Sequence, residues 1–234
     1  MNFDPTQLSR IADALERLSG LSTPPPTDWS AIAYRWRPHK GSMQGHLQAV
    51  HQVGHMALDS LQHIDTQKAK IVQNTRQFVL GQPANNVLLT GARGTGKSSL
   101  VRACLHAFAA QGLRLIEIDK DDLTALPDVV ALLASRPERF IVYCDDLSFE
   151  EGEGAYKAMK SALDGSIAAQ TDNVLIYATS NRKHLMPEYH HENASTRSSD
   201  DGEIHPGDVV EEKISLSERF GLWVSFHPFG QDNY

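Results

Sequence analysis

The chain has 234 residues, 41 % of them hydrophobic and 22 % charged, which is ordinary globular material able to bury a sizeable core. A formal net charge of −7 argues against a surface that coats nucleic acid along its length, while leaving room for a local basic patch. No apolar run approaches the length of a membrane span and the start of the chain does not read as a signal peptide. The two cysteines, Cys104 and Cys144, sit in apolar segments as small hydrophobes, so a reducing, cytoplasmic setting is expected.

Asp4-Pro5 has the form of an N-cap followed by proline at the first helical position, and Leu8, Ile11, Ala12, Leu15 and Leu18 continue as one apolar stripe as far as Gly20. Pro24-Pro25-Pro26 forms a stiff break. Residues 27–57 carry no clear period; Trp29, Tyr34 and Trp36 are expected to pack on the main domain. Residues 1–57 are therefore expected to be a helical extension, and residues 58–234 an α/β domain.

From Leu58 onward the pattern is regular. Ile64, Ile71, Val72, Thr75, Phe78 and Val79 mark a helix that Gly81 and Pro83 stop. Five short apolar runs follow: Val87 to Thr90, Leu113 to Ile118, Phe140 to Cys144, Val174 to Ala178 and Leu222 to Phe226. Helical stretches lie between most of them, one carrying Tyr156, Met159 and Leu163 on a single face. Near-continuous apolar strands alternating with helices predict a parallel five-stranded α/β sheet. Residues 187–213 break the rhythm; Asn193 to Glu203 is rich in Ser, Asp, Glu and Gly and is expected to be a mobile insertion. His190, His191 and His205 lack metal-ligand spacing.

Gly91-Ala92-Arg93-Gly94-Thr95-Gly96-Lys97-Ser98 matches the phosphate-loop pattern G-x-x-x-x-G-K-[ST] at every fixed position. Chance would supply such a match in roughly one chain of this length in a hundred, so nucleotide binding is the default reading. An apolar strand feeds the loop, and Leu100, Val101, Cys104, Leu105 and Phe108 recur at helical spacing behind it, up to Gly112. The glycines let successive backbone N–H groups turn inward, and the helix behind adds the positive end of its dipole. The candidate binding set is Gly91, Ala92, Arg93, Gly94, Thr95, Gly96, Lys97, Ser98 and Ser99. Lys97 can reach the β- and γ-phosphates, and the Ser98 hydroxyl can ligate Mg²⁺.

A second constellation closes the run Phe140-Ile141-Val142-Tyr143-Cys144 with Asp145-Asp146. A carboxylate at this strand end holds Mg²⁺ in P-loop nucleotidases, usually through water, and Asp145 fits that role. Asp146 stands where many relatives carry the Glu that polarises the attacking water; its shorter reach leaves Glu150 and Glu151 as fallbacks. A third strand ends in Thr179-Ser180-Asn181, and Asn181 there would lie between the two motif strands, within reach of a γ-phosphate or the water.

Together these segments resemble the AAA+ branch of P-loop ATPases. Asn85 through Ser99, Asp145-Asp146-Leu147-Ser148-Phe149-Glu150-Glu151, Tyr177-Ala178-Thr179-Ser180-Asn181-Arg182 and Glu211 through Trp223 resemble one family more closely, the bacterial domain-of-unknown-function family 815, over about residues 55–234. The resemblance implies ATP or ADP with Mg²⁺ as ligands, Asn181 as first sensor, and Arg219 as an arginine finger facing a neighbour's nucleotide. A finger in trans implies a homo-oligomer. It also places Leu58 to Gln67 beside the adenine. Such modules normally continue into a small helical lid with a second sensor arginine; with the last strand so close to Tyr234, a lidless module is expected.

The leading reading is an Mg²⁺-dependent AAA+ ATPase that remodels or loads a macromolecular partner. Asp146, Asn181 and Arg219 would serve hydrolysis, with Ser98 and Asp145 at the metal. The alternative is a nucleotide-gated binding module with little turnover. A small-molecule kinase would need a basic lid, and no arginine cluster supplies one. The acidic balance favours an unidentified protein partner over nucleic acid, and no membrane association is expected.

Overall fold

The computed structural model describes residues 26–38, 45–149, 154–164, 172–181 and 218–228, together with Gln7, Arg10 and Leu216. Gln7 and Arg10 are helical and exposed. The rest of the expected N-terminal helix, the fallback residues Glu150 and Glu151, and the insertion over 187–213 lie outside the described residues.

All five predicted apolar runs are strands. With two strands upstream they give β1 (Ala33–Pro38), β2 (Gly45–Val50), β3 (Val87–Gly91), β4 (Leu113–Glu117), β5 (Arg139–Cys144), β6 (Val174–Ser180) and β7 (Leu222–Phe226). The helices are α1 (Asp65–Val79), α2 (Lys97–Phe108), α3 (Leu126–Leu133) and α4 (Gly154–Asp164). One sheet runs β2-β1-β4-β5-β6-β3-β7. Every neighbouring pair is parallel except the β1–β2 hairpin.

Alternate strand residues enter opposite apolar layers. Leu88, Phe140, Val142, Cys144, Ile176 and Ala178 pack with α3 and α4; Val87, Leu89, Ile141, Tyr143, Leu175 and Tyr177 pack with α1 and α2. Burial on both faces is why these runs read as continuously apolar rather than alternating. Both cysteines are free and buried, and burial pushes each thiol up to about 12. They act as packing groups.

The structure departs from expectation at residues 33–38 and 45–50. They are strands of the sheet, not part of a helical extension, and they raise five parallel strands to a mixed seven. β1 pairs with β4 in parallel register, Ala33 opposite Leu115 and Arg35 opposite Glu117. Tyr34 and Trp36 enter the core, Trp29 stacks near Tyr34 and Phe140, and Arg136 lies over the Trp29 ring at 4.2 Å. The aromatics thus pack as expected, but from strands and a turn. Gly45 faces the Trp36 indole, where any Cβ would collide with the ring. The hairpin escaped periodicity because β1 is buried at Ala33, Tyr34 and Trp36 and exposed at Arg35, Arg37 and Pro38, which is not a clean alternation.

The order of strands places the site. β6 lies between β3 and β5, so the phosphate-loop strand and the acidic strand are separated by the strand that ends at Asn181. All three run the same way, and their C-terminal ends open on one side of the sheet.

Candidate functional site

β3 is buried over Val87–Thr90 and delivers the chain to Gly91. Gly91 has φ 139°, and a Cβ there would strike the Phe226 carbonyl of β7, so close pairing with that strand demands glycine. Gly96, at φ 91°, caps α2 in a left-handed turn that a larger residue would strain. Within the loop the Thr95 hydroxyl donates to the Ala92 carbonyl at 2.8 Å. Ile64 sits 3.5 Å from where a Gly96 Cβ would be, and Gln67 donates to the Ser225 carbonyl at 3.1 Å. The segment from Leu58 to Gln67 therefore packs beside the loop, where the adenine neighbourhood was expected.

Lys97 is only 6 % exposed. Its Nζ donates to the carbonyls of Gly91 at 2.6 Å and Ala92 at 2.7 Å, and to Asn181 Oδ1 at 3.2 Å. Burial pulls its pKa below the ordinary lysine value; Asp145 and Asp146 oppose that shift and Arg93 adds to it. The ammonium is therefore a poorly solvated charge held by dipoles, the state in which an approaching phosphate gains most.

Asp145 lies at the exit of β5 and accepts from Ser98 Oγ at 2.9 Å and from Thr179 Oγ1. Burial raises its pKa, but hydrogen bonds from Thr179, Ser98 and the Asp146 N–H outweigh it and hold the carboxyl below its usual range. Asp145 is ionised at neutral pH and already joined to the hydroxyl expected to share a metal with it.

Asp146 has φ 53°, a left-handed conformation in which Asp is several-fold more at home than most side chains. This gives a backbone reason for Asp rather than a longer side chain at this position. Its N–H donates to Thr179 Oγ1 at 3.0 Å, while its two oxygens accept from Asn181 Nδ2 at 2.6 Å and from an Arg93 guanidinium nitrogen at 3.1 Å. Residues 93–99 with Asp145, Asp146 and Asn181 line a cleft of about 360 Å³.

Arg219 is not in that cleft. It precedes β7, whose Leu222 pairs with Val87 at the start of β3, and it makes an ion pair with Asp164 at the end of α4. Val87 and Gly91 are four residues apart, or about 13 Å along a strand, well beyond the reach of an arginine from the opposite end of the sheet. Two participants, Thr179 and Tyr143, were missed by sequence reasoning. Thr179 bridges Asp145 and the Asp146 N–H; its place at the end of the middle strand was the available signal. Arg93 was expected in the binding set, but its bond to Asp146 was not. Tyr143 is buried beside Ser98, Asp145 and Thr179, and its hydroxyl lacks a hydrogen bond of normal geometry.

The family described as "Protein of unknown function (DUF815)" matches residues 29–234. The chain belongs to this family. The match begins upstream of the expected residue 55 and takes in β1 and β2, so the hairpin is part of what the family shares. No curated protein matches the chain. Among solved structures it is similar to Aeropyrum pernix Orc1 in complex with DNA, at 14 % identity over 72 % of this chain and 46 % of that one, TM-score 0.48. It is also similar to a point mutant of Thermotoga maritima RuvB, at 16 % identity over 74 % and 49 %, TM-score 0.49. AMPPCP-bound DnaA from Aquifex aeolicus gives 17 % identity over 74 % and 50 %, TM-score 0.45. The chain spans about half the length of each, and likeness this distant carries no substrate or partner across.

The family member's own residues fit a nucleotide and a hard cation. The loop offers the start of α2 and a buried lysine, and Ser98 and Asp145 carry oxygens of the kind Mg²⁺ prefers when it keeps several waters. Among the described residues no cluster of three or more His, Cys, Asp or Glu could hold a metal by itself. No helix among them is long and apolar enough to cross a membrane.

Proposed function

We propose that the chain is an AAA+ type ATPase that binds Mg-ATP in the cleft and hydrolyses it to drive remodelling or loading of a macromolecular partner, in the cytoplasm and as a homo-oligomer. The observation that carries this is convergence. Lys97, Asp145, Asp146 and Asn181 come from three strand ends and lie within one hydrogen-bonded network. On binding, Lys97 exchanges the Gly91 and Ala92 carbonyls for β- and γ-phosphate oxygens. Mg²⁺, beside Ser98 and Asp145, would neutralise charge on those phosphates. Asn181 orients the attacking water and Asp146 accepts its proton. The water oxygen bonds to the γ-phosphorus, the bond to the β-bridging oxygen breaks, and ADP leaves with the electron pair. Arg219 serves the nucleotide of a neighbouring copy, since it lies at the far end of its own strands.

Loss of binding tests the reading. Lys97→Ala is expected to weaken ATP binding by about 100-fold in calorimetric titration, as removal of a charge-assisted contact from a buried site should. Unchanged affinity would sink it. The second reading, a nucleotide-gated binding module, is favoured by one feature: both Asp146 oxygens are already engaged. Tightly bound ATP with no phosphate release at high protein concentration would select it.

A further inference from the structure

Arg93 has no role in the account above, yet it reaches across the mouth of the cleft from the tip of the loop. Its guanidinium donates to Asp146 Oδ2 at 3.1 Å, and the side chain is 82 % exposed. An exposed pair of this kind is weak, so it is easily exchanged. The other Asp146 oxygen is held by Asn181 at 2.6 Å. Each Asp146 oxygen can accept a further bond, but turning the carboxylate squarely toward a water is easiest when one donor lets go, and the more exposed Arg93 is the one more readily released. A phosphate is a better partner for a guanidinium than a single carboxylate oxygen, because it accepts two parallel N–H bonds and carries more charge.

We propose that Arg93 is a triphosphate-sensing residue acting within its own chain, bound to Asp146 in the nucleotide-free cleft and passing to the terminal phosphate when a nucleoside triphosphate binds. The exchange does two things at once. It adds a contact that a diphosphate cannot make, and it releases one oxygen of Asp146 toward the reacting water. The loop thus reads the γ-phosphate through Arg93 as well as Lys97. This rests on the nucleotide-binding reading above and names which nucleotide state the site prefers.

The test compares the full chain with Arg93→Ala and Asp146→Asn in calorimetric titrations with Mg²⁺ and either ADP or a non-hydrolysable ATP analogue. Arg93→Ala is expected to lose about tenfold in affinity for the triphosphate analogue while ADP affinity stays within about twofold. Asp146→Asn, which removes the resting partner but keeps Arg93, is expected to bind the triphosphate analogue at least as tightly as the native chain. Equal losses for both nucleotides in Arg93→Ala would show a loop-shaping role and overturn the proposal. So would no loss for either, or a weaker triphosphate affinity in Asp146→Asn. If the native chain binds neither nucleotide, the nucleotide-binding reading itself falls; if it binds both and Arg93→Ala changes neither, only the Arg93 inference falls.

Discussion

At the C-terminal ends of the parallel strands, Lys97, Asp146, Asn181 and Arg93 are charged or amide groups joined by hydrogen bonds, and Thr179 links Asp145 to the Asp146 N–H. At the opposite end several amide side chains bind backbone. Asn86 Oδ1 accepts the Ile176 N–H at 2.9 Å, Asn74 exchanges bonds with the backbone of Asn85, and Asn173 donates to the Leu133 and Arg136 carbonyls. These bonds tie neighbouring strands and helices to one another and cannot be broken without losing register, so this end is fixed. Side-chain partners can be exchanged for a ligand's oxygens at little cost, so the other end is ready to change hands. Arg219 breaks the division: it is a charged group bonded to a carboxylate, Asp164, but at the fixed end.

The largest expected effect tests that exception. If Arg219 acts on a neighbouring copy, Arg219→Ala should lower ATP turnover by about 1,000-fold or more while leaving ATP affinity within about twofold. Native turnover per chain should also rise with protein concentration. A matching loss of affinity would instead make Arg219 one more lock of the fixed end, and the contrast between the two ends would then be complete.

The next effect concerns how far the fixed framework extends. Trp36 is buried in the layer that also holds Phe140 and α3, across the sheet from α1 and α2. Trp36→Ala is expected to cost about 3–5 kcal/mol in urea denaturation, with a single transition reporting the whole sheet. Two separate transitions would mean that the hairpin folds apart from the parallel strands and does not belong to the framework.

How much of this was legible follows from what each feature demands of the sequence. The loop at 91–98 demands particular residues, because its backbone takes positive φ at Gly91, Gly94 and Gly96 and its carbonyls hold a lysine at one place. The five parallel strands demand apolar residues at most positions, which is equally visible. The placement of Asn181 beside both motif strands followed from strand order. The hairpin demands little: β2 is exposed or half-buried except at Leu47, and its glycine serves one contact with Trp36. The pairing of Arg93 with Asp146 and the place of Thr179 were illegible for another reason. Their roles come from partners 53 and 34 residues away, and no local spacing encodes such a pairing.

The smallest effect separates the two ends by proton linkage. Burial lowers the Lys97 pKa in the folded, nucleotide-free chain below its unfolded value. Between those two values the unfolded chain holds more protons, so Lys97 makes the chain more stable as pH rises through that window; below it the penalty of the buried charge is fully present. Phosphate restores the charge and raises the pKa again. Binding therefore takes up a proton in the same window, and ATP affinity should fall as pH rises, by less than tenfold per pH unit. Melting temperatures and calorimetric titrations between about pH 7 and about pH 10 would follow both slopes, with Lys97→Ala subtracted to remove other titrating groups. Opposite slopes are expected, because one residue is destabilising while the cleft holds it alone and stabilising once a ligand shares it. Parallel slopes would mean that Lys97 gains nothing from phosphate, and that the exchangeable end of the sheet is as fixed as the other.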